Sequence, residues 1–184
     1  MGYRSNLAYL ILFPSNEEYH SFLSEVSALS GQPIQNEEFE TINGMKMWGD
    51  MVSALAETVH GVDLYDQEYL TLDKKCLKFP AIAFKAENVK WYPSYPDVHG
   101  HESLFNLAKL RTNTDHKRAY ATGTNQTALM TRCTVEFLRI GEDSHDVEIY
   151  RQGSHTCSSG SSMWVQRSLS LCDAMENLFD KEDV

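Results

Sequence analysis

The chain has 184 residues, of which 42% are hydrophobic and 23% are charged. This length is typical of one domain, and the apolar share is sufficient for a hydrophobic core, so extensive disorder is not expected. Acidic residues number 26 and basic residues 16, which gives a formal net charge of −10. A general affinity for nucleic acid or for anionic membranes is therefore not expected, because phosphate binding requires clustered lysine and arginine.

No segment reaches the roughly 20 apolar residues that a membrane-spanning helix requires. The longest apolar run, residues 7–13, has neither the basic region nor the cleavage site of a signal peptide. We therefore expect a cytoplasmic protein. The four cysteines include no C-x-x-C pair, so reduced and mostly buried thiols are expected instead of a zinc ribbon or a redox motif.

The first predicted elements are a strand and a helix. Residues 7–13 are all apolar and predict a strand buried on both faces. Ser15 and Glu18 have the spacing of a capping box, and the apolar residues that follow recur at helical spacing. After a polar loop, a methionine-rich apolar stripe predicts a second helix over residues 45–59.

The middle of the chain has a β pattern followed by a helical one. Residues 70–92 predict strands, with an interruption at Pro80 and a turn at Glu87 and Asn88. Asp97 is predicted to cap a third helix, in which apolar residues recur at helical spacing.

In the last third, two strands over residues 133–140 and 147–150 predict a hairpin. A Ser/Gly-rich loop over residues 153–162 follows, and residues 163–171 alternate loosely, as in a strand. This order predicts an α+β fold, with a mainly antiparallel sheet and two or three helices packed on one face as a two-layer sandwich.

We expect a single domain over residues 1–184. Within it, residues 32–75 and 112–130 are predicted to be insertions, the second of them a long loop. The acidic tail over residues 173–184 is expected to fray.

Histidines and carboxylates come closest to a metal site at two places in the sequence. The first is His99, His101 and Glu102, and the second is the hairpin tip with Glu142, Asp143, His145 and Asp146. A catalytic metal needs two or three such ligands that converge and leave one coordination position open. On a helix, side chains two positions apart point about 200° apart and cannot share one ion. If that turn is extended instead, His99 and His101 lie on one face.

His155 and Cys157 form the second candidate for catalysis, because a histidine can lower the pKa of a nearby thiol. No glycine framework surrounds this cysteine. The sequence also has no G-x-S-x-G elbow, no Gly-rich phosphate loop and no H-E-x-x-H helix. No cofactor or metal is therefore predicted, no catalytic residue is assigned, and an enzyme is the less favoured class.

The segment 91–96, Trp-Tyr-Pro-Ser-Tyr-Pro, is the most distinctive local composition. Aromatic residues between prolines give rigid contact area that is suited to recognition. The alternative is a strand end whose aromatic rings pack over the edge of the core, and both interpretations can hold together.

Three patches of the chain resemble small uncharacterised proteins of tailed bacteriophages. They are Met-Gly-Tyr-Arg-Ser at residues 1–5, the segment 89–98 with His101 and Glu102 after it, and the segment 137–143 with Asp146 and Glu148 after it. The resemblance covers about a third of the chain and implies a role but no activity. Small acidic phage proteins often bind and inhibit host machinery.

The leading hypothesis is therefore a phage-encoded accessory protein that binds and modulates a host or phage protein through acidic and aromatic surface, in the host cytoplasm, and inhibition is the expected effect. The predicted partner-binding residues are Trp91, Tyr92, Tyr95, Asp97, Glu142, Asp143, Asp146 and Glu148. A free edge of the sheet could also allow a homodimer.

Two alternatives stay open. The first is a binder of small ligands such as nucleotides, in which four basic residues converge on phosphates: Arg4, Lys90, Arg139 and Arg167. The second is a metal-assisted hydrolase that uses His99, His101 and nearby carboxylates.

Overall fold

The computed structural model describes residues 4–34, 47–68, 76–112, 133–142 and 145–152. In chain order the elements are β1 (Ser5–Leu12), α1 (Asn16–Leu29), α2 (Met51–Ala56), β2 (Val59–Glu68), β3 (Cys76–Val89), α3 (Pro96–Leu110), β4 (Thr134–Gly141) and β5 (Val147–Gln152). The strands form one antiparallel sheet in the order β2-β3-β1-β4-β5. The predicted α+β fold with a mainly antiparallel sheet is confirmed.

The central strand β1 is buried on both faces, as its unbroken apolar run predicts. Leu7, Tyr9 and Ile11 belong to the main hydrophobic cluster together with side chains of α1 and α3. Ala8 and Leu10, which point to the opposite face, are also fully buried. The strand therefore anchors the sheet at its centre.

Helix α1 follows its predicted course. The Glu18 backbone N–H donates a hydrogen bond to Ser15 Oγ at 3.3 Å, which confirms Ser15 as the N-terminal cap. The helix buries Tyr19, Phe22 and Val26. It ends before Gly31, whose φ of +71° is a left-handed conformation that glycine adopts without strain.

The prediction of a helix over residues 45–59 is wrong in its bounds. Helix α2 has only 6 residues and begins after Asp50, whose carboxylate accepts the Ser53 N–H at 3.0 Å. Met47 forms a bridge to Pro33, and Val59 already belongs to β2. Part of the segment predicted as an insertion at 32–75 thus supplies an edge strand of the sheet.

Close backbone contact with α3 explains why α2 begins only after Asp50. A Cβ atom at Gly49 would lie 2.6 Å from the His99 carbonyl carbon, and one at Gly100 would lie 2.5 Å from the Asp50 carbonyl oxygen. The Gly49 N–H donates to Ser103 Oγ at 2.9 Å. Glycine is required on both sides of this approach, which also accounts for a glycine inside α3.

Strand β3 runs through both positions that predict a break. Pro80 lies opposite the irregular stretch of β2 between Gly61 and Tyr65, so its missing N–H costs no regular ladder bond. Asn88 has a φ of 57°, and its N–H donates to Asn6 Oδ1 at 2.7 Å where the register with β1 shifts. The predicted turn at Glu87 and Asn88 is therefore wrong, and the feature is a β-bulge.

Helix α3 begins one residue earlier than its predicted cap. Tyr95 is the N-terminal cap residue without a side-chain hydrogen bond, Pro96 opens the helix, and Asp97 lies in the first turn. The prediction of Asp97 as the cap is wrong, whereas the hairpin of β4 and β5 is confirmed.

The remaining predictions lie outside the described residues. They concern the loop predicted at 112–130 apart from Thr112, the Ser/Gly-rich loop with His155 and Cys157, the strand at 163–171 and the tail at 173–184. Among the described helices, none is long and apolar enough to cross a membrane. Cys133 is a buried free thiol, and burial raises its pKa to about 12.

Candidate binding pocket

A row of four aromatic side chains crosses the sheet beneath α3. The register places Phe84 of β3 beside Tyr9 of β1, Tyr9 beside Phe137 of β4, and Phe137 beside Tyr150 of β5. Residues that pair directly across antiparallel strands point to the same face. The strand pairing alone therefore builds an aromatic floor from four strands, of which only β4 and β5 are neighbours in sequence.

Helix α3 covers this floor with one stripe of side chains and leaves a pocket of about 210 Å³. Glu102, Phe105, Asn106 and Lys109 follow at three- and four-residue intervals, so they share one helix face. We call the space the α3 pocket. Its lining residues are Tyr9, Trp91, His101, Glu102, Phe105, Asn106, Lys109, Phe137, Glu148 and Tyr150.

Glu102 is the most perturbed carboxyl group in the pocket. Burial and the neighbouring Glu148 carboxylate raise its pKa to about 7, although Lys109, the Trp91 indole and Arg139 each act in the opposite direction. A carboxyl with this pKa exchanges its proton near neutral pH. The α3 pocket therefore gains a negative charge when the pH rises through neutrality.

Lys109 places a cation against the aromatic wall. Its Nζ lies 4.1 Å from the ring centroid of Tyr150 and 5.0 Å from that of Phe105. Both distances are within the range of cation–π attraction. Burial lowers the pKa of Lys109, and Glu148 and Glu102 partly offset this effect.

A chain of hydrogen bonds connects the pocket floor with the surface. The Tyr9 hydroxyl lies 2.8 Å from His101 Nδ1, and His101 Nε2 lies 3.2 Å from Glu57 Oε2. Since the Glu57 carboxylate can only accept, Nε2 donates to it and Nδ1 accepts from Tyr9. Burial lowers the pKa of His101, with Glu57 acting in the opposite direction.

The acidic hairpin forms one rim of the pocket, and an arginine neutralises much of it. Arg139 donates to both carboxylate oxygens of Asp146 at 2.8 and 2.7 Å and to Glu148 at 3.3 Å. Such a two-pronged contact fixes the arginine. Glu142 accepts the backbone N–H of Arg4 at 3.0 Å.

The structure brings together two of the predicted partner-binding residues, Trp91 and Glu148, at the α3 pocket. Tyr92 and Tyr95 lie just before α3, with their rings edge to face at 5.3 Å, and Tyr95 is 40% exposed. Asp97 is exposed in the first turn of α3. Asp146 and Glu142 belong to the hairpin, and Asp143 lies outside the described residues.

The two alternatives, a metal-assisted hydrolase and a nucleotide-binding protein, find less support in this arrangement. His99 and His101 both lie in α3, so their side chains diverge. In the part of the chain that the structure describes, no three histidine, cysteine or acidic side chains are grouped as metal ligands. Arg139 is bound to two carboxylates, Arg4 donates to the Asn88 carbonyl, and Arg167 lies outside the described residues.

Several pocket residues were not predicted from the sequence. Tyr9 and Phe137 read as core residues, and Lys109 reads as part of a solvated helix end. One signal was available, because Glu102, Phe105, Asn106 and Lys109 have the spacing of a single helix face. Nothing local marks Tyr150, which reaches the pocket through strand pairing.

Neither protein-family models, nor curated protein sequences, nor solved structures give a match to this chain. The resemblance to phage proteins therefore stays a prediction, and the geometry of the α3 pocket carries the functional argument.

Proposed function

We propose that this chain is a phage-encoded accessory protein that binds, and thereby inhibits, a host or phage protein in the host cytoplasm. The contact surface is the α3 pocket together with the aromatic segment before α3 and the acidic hairpin. In this proposal the chain acts by occupying a surface of its partner and carries out no reaction.

One observation supports this proposal above the others. Trp91 and Glu148 come from separate patches that the sequence predicts to bind a partner, and both line the same pocket. A large aromatic ring beside an open pocket is typical of the centre of a protein interface, and a carboxylate at the edge of that pocket is typical of its polar rim. Tyr95, which is 40% exposed, extends this surface beyond the pocket.

The excess of acidic over basic groups favours a protein partner over nucleic acid. Among the described pocket residues, acidic groups occur next to aromatic ones, and the chain as a whole has a net charge of −10. Such a surface repels nucleic acid and attracts a partner with a basic patch. A phosphate-bearing ligand would meet Glu102 and Glu148 at the walls.

The experiment is an affinity capture from a nuclease-treated bacterial lysate, at low and at moderate salt. We expect one partner in near-equal amount with the parent chain, and a weaker yield at higher salt because charged contacts are screened. Trp91→Ala and Glu148→Gln should each lower the yield of captured partner, while thermal unfolding shows that both variants are folded.

Glu87→Gln is the matched control. Glu87 and Glu148 have side chains that are 64% and 60% exposed, and in the described part of the chain Glu87 forms an ion pair with Lys85 and Glu148 forms one with Arg139. Only Glu148 lines the pocket. A yield that neither Trp91→Ala nor Glu148→Gln lowers, or that Glu87→Gln lowers as well, would contradict the proposed surface.

A further inference from the structure

We propose that the α3 pocket binds the guanidinium group of an arginine side chain of the partner protein, and that Lys109 is an internal cation that competes with this arginine. The inference rests on the proposed function, because it names the chemical group that the partner inserts. It follows from the aromatic walls, the two carboxylates and the place of Lys109.

The aromatic walls already hold a cation. Lys109 Nζ lies over the faces of Tyr150 and Phe105, at 4.1 and 5.0 Å from their ring centroids. The negative faces of these rings are thus turned to the interior of the pocket, where they attract positive charge. The ring of Tyr9, from the floor, and the indole of Trp91 also line the pocket.

The carboxylates of the pocket exceed the charge that Lys109 supplies. Burial raises the pKa of Glu102 to about 7, and Glu148 of β5 acts in the same direction, against Lys109 of α3 and Arg139 of β4. Arg139 is already bound to Asp146 and Glu148. A second cation beside Glu102 would stabilise the ionised carboxylate, so cation binding and loss of the Glu102 proton are coupled.

Size and shape favour arginine. Pockets for drug-sized ligands span about 300 to 1,000 Å³. The α3 pocket, at about 210 Å³, is smaller than this range and suits a single side chain. A guanidinium is planar and weakly hydrated, stacks on aromatic rings and donates to carboxylates from several N–H groups, whereas a lysine ammonium is a strongly hydrated point charge.

The test uses two short peptides, acetyl-Gly-Ser-Arg-Ser-Gly-amide and the same peptide with citrulline in place of arginine. Citrulline has the shape of arginine without its charge. Binding is followed by the NMR shift of the Trp91 indole N–H, assigned by its loss in Trp91→Phe. We expect the arginine peptide to bind at least about tenfold more tightly than the citrulline peptide.

Variants separate the roles of the pocket residues. Lys109→Met removes the competing cation and should tighten arginine binding by about three- to tenfold. Glu102→Gln and Glu148→Gln should each weaken it by a similar factor, and Glu87→Gln should leave it unchanged. In the parent chain binding should strengthen from pH 6 to pH 8, and Glu102→Gln should remove this dependence.

Equal binding of the two peptides would overturn the arginine proposal, and Lys109→Met binding no better than the parent would overturn the competition. The proposed function fails separately. If the arginine peptide binds but no protein is captured from the lysate, the pocket chemistry is supported and the partner hypothesis is not. If a partner is captured but the two peptides bind equally, the proposed function is supported and the arginine proposal is not.

Discussion

Helices α1 and α3 both place aromatic rings on the sheet, but the α3 pocket lies beside the rings under α3 and not beside those under α1. Under α1, Phe13 and Phe22 lie with ring centroids 5.1 Å apart, and both are fully buried. Under α3, Tyr9 and Phe105 lie at a similar distance of 5.7 Å, yet the α3 pocket opens beside them. Aromatic content alone therefore does not distinguish a core from a binding pocket.

The two helices differ in how they use charge. Arg111 at the end of α3 lies over Phe22 and donates to Glu18, Glu25 and Ser21 of α1, so it clamps the two helices together. Lys109, two residues earlier, points into the α3 pocket. Arg111 therefore belongs to the packed interface between α1 and α3, whereas Lys109 lies in a pocket that is only partly filled.

The largest expected effect is in the region beneath α1. Phe22→Ala removes a fully buried ring, and large-to-small changes of this kind lower the free energy of unfolding by about 3–5 kcal/mol. Urea denaturation measures the loss, and Phe22→Leu should lose much less because most of the volume is kept. A loss below about 1 kcal/mol for Phe22→Ala would show that this region is not tightly packed.

A second effect, at the α3 pocket, depends on pH. The pKa of Glu102 is about 7 in the folded chain against 4.5 for an ordinary glutamate, so the folded state holds the proton more tightly. Its buried charge therefore costs stability above pH 7, and this cost disappears as the pH falls to 4. Because solvent screens part of this effect at a carboxyl that is only partly buried, we expect Glu102→Gln to be more stable than the parent by about 1–2 kcal/mol at pH 8.

Urea denaturation at pH 8 and at pH 4 checks this sign. The comparison with the parent cancels the opposite contribution of His101, whose lowered pKa costs stability as the pH falls below 6.5. Glu87→Gln serves as the control and should show no such dependence. Equal stability of Glu102→Gln and the parent at pH 8 would mean that the carboxyl is not desolvated.

The smallest expected effect contrasts the two cations of α3. Arg111→Met breaks hydrogen bonds to carboxylates that are partly exposed, so we expect a loss of about 1–2 kcal/mol. Lys109→Met should change the free energy of unfolding by less than about 0.5 kcal/mol, because the lost cation–π contact is offset by relief of a desolvated charge. Similar losses of unfolding free energy in both variants would show that Arg111 and Lys109 do not differ in their contribution to stability.

The sequence predicted those helices and strands whose pattern of apolar and capping residues is contained within the element itself. The apolar run at 7–13 and the Ser15 cap predicted β1 and α1. Strand β2 was missed because its sequence, with His60, Gly61 and Asp63, has no clear alternation. An edge strand of this kind is stabilised by pairing with β3, which the sequence of β2 does not reveal.

The candidate site was predictable only in part, for a similar reason. Trp91 and Glu148 stood out by composition, whereas Tyr9 and Phe137 look like ordinary core residues. Their contribution to the pocket depends on the register of β1 with β4. Register is a long-range property, and a shift by one residue would turn the same rings to the opposite face.

The sequence by itself determined the acidic charge, the double-sided burial of β1 and the amphipathic faces of α1 and α3. Only the tertiary structure decided that four distant rings form one floor, that Glu102 lies beside Glu148, and that Lys109 lies over Tyr150. The physical reason is that periodicity acts over a few residues. The desolvation that moves the pKa of Glu102, by contrast, arises only when separate strands and a helix close around it.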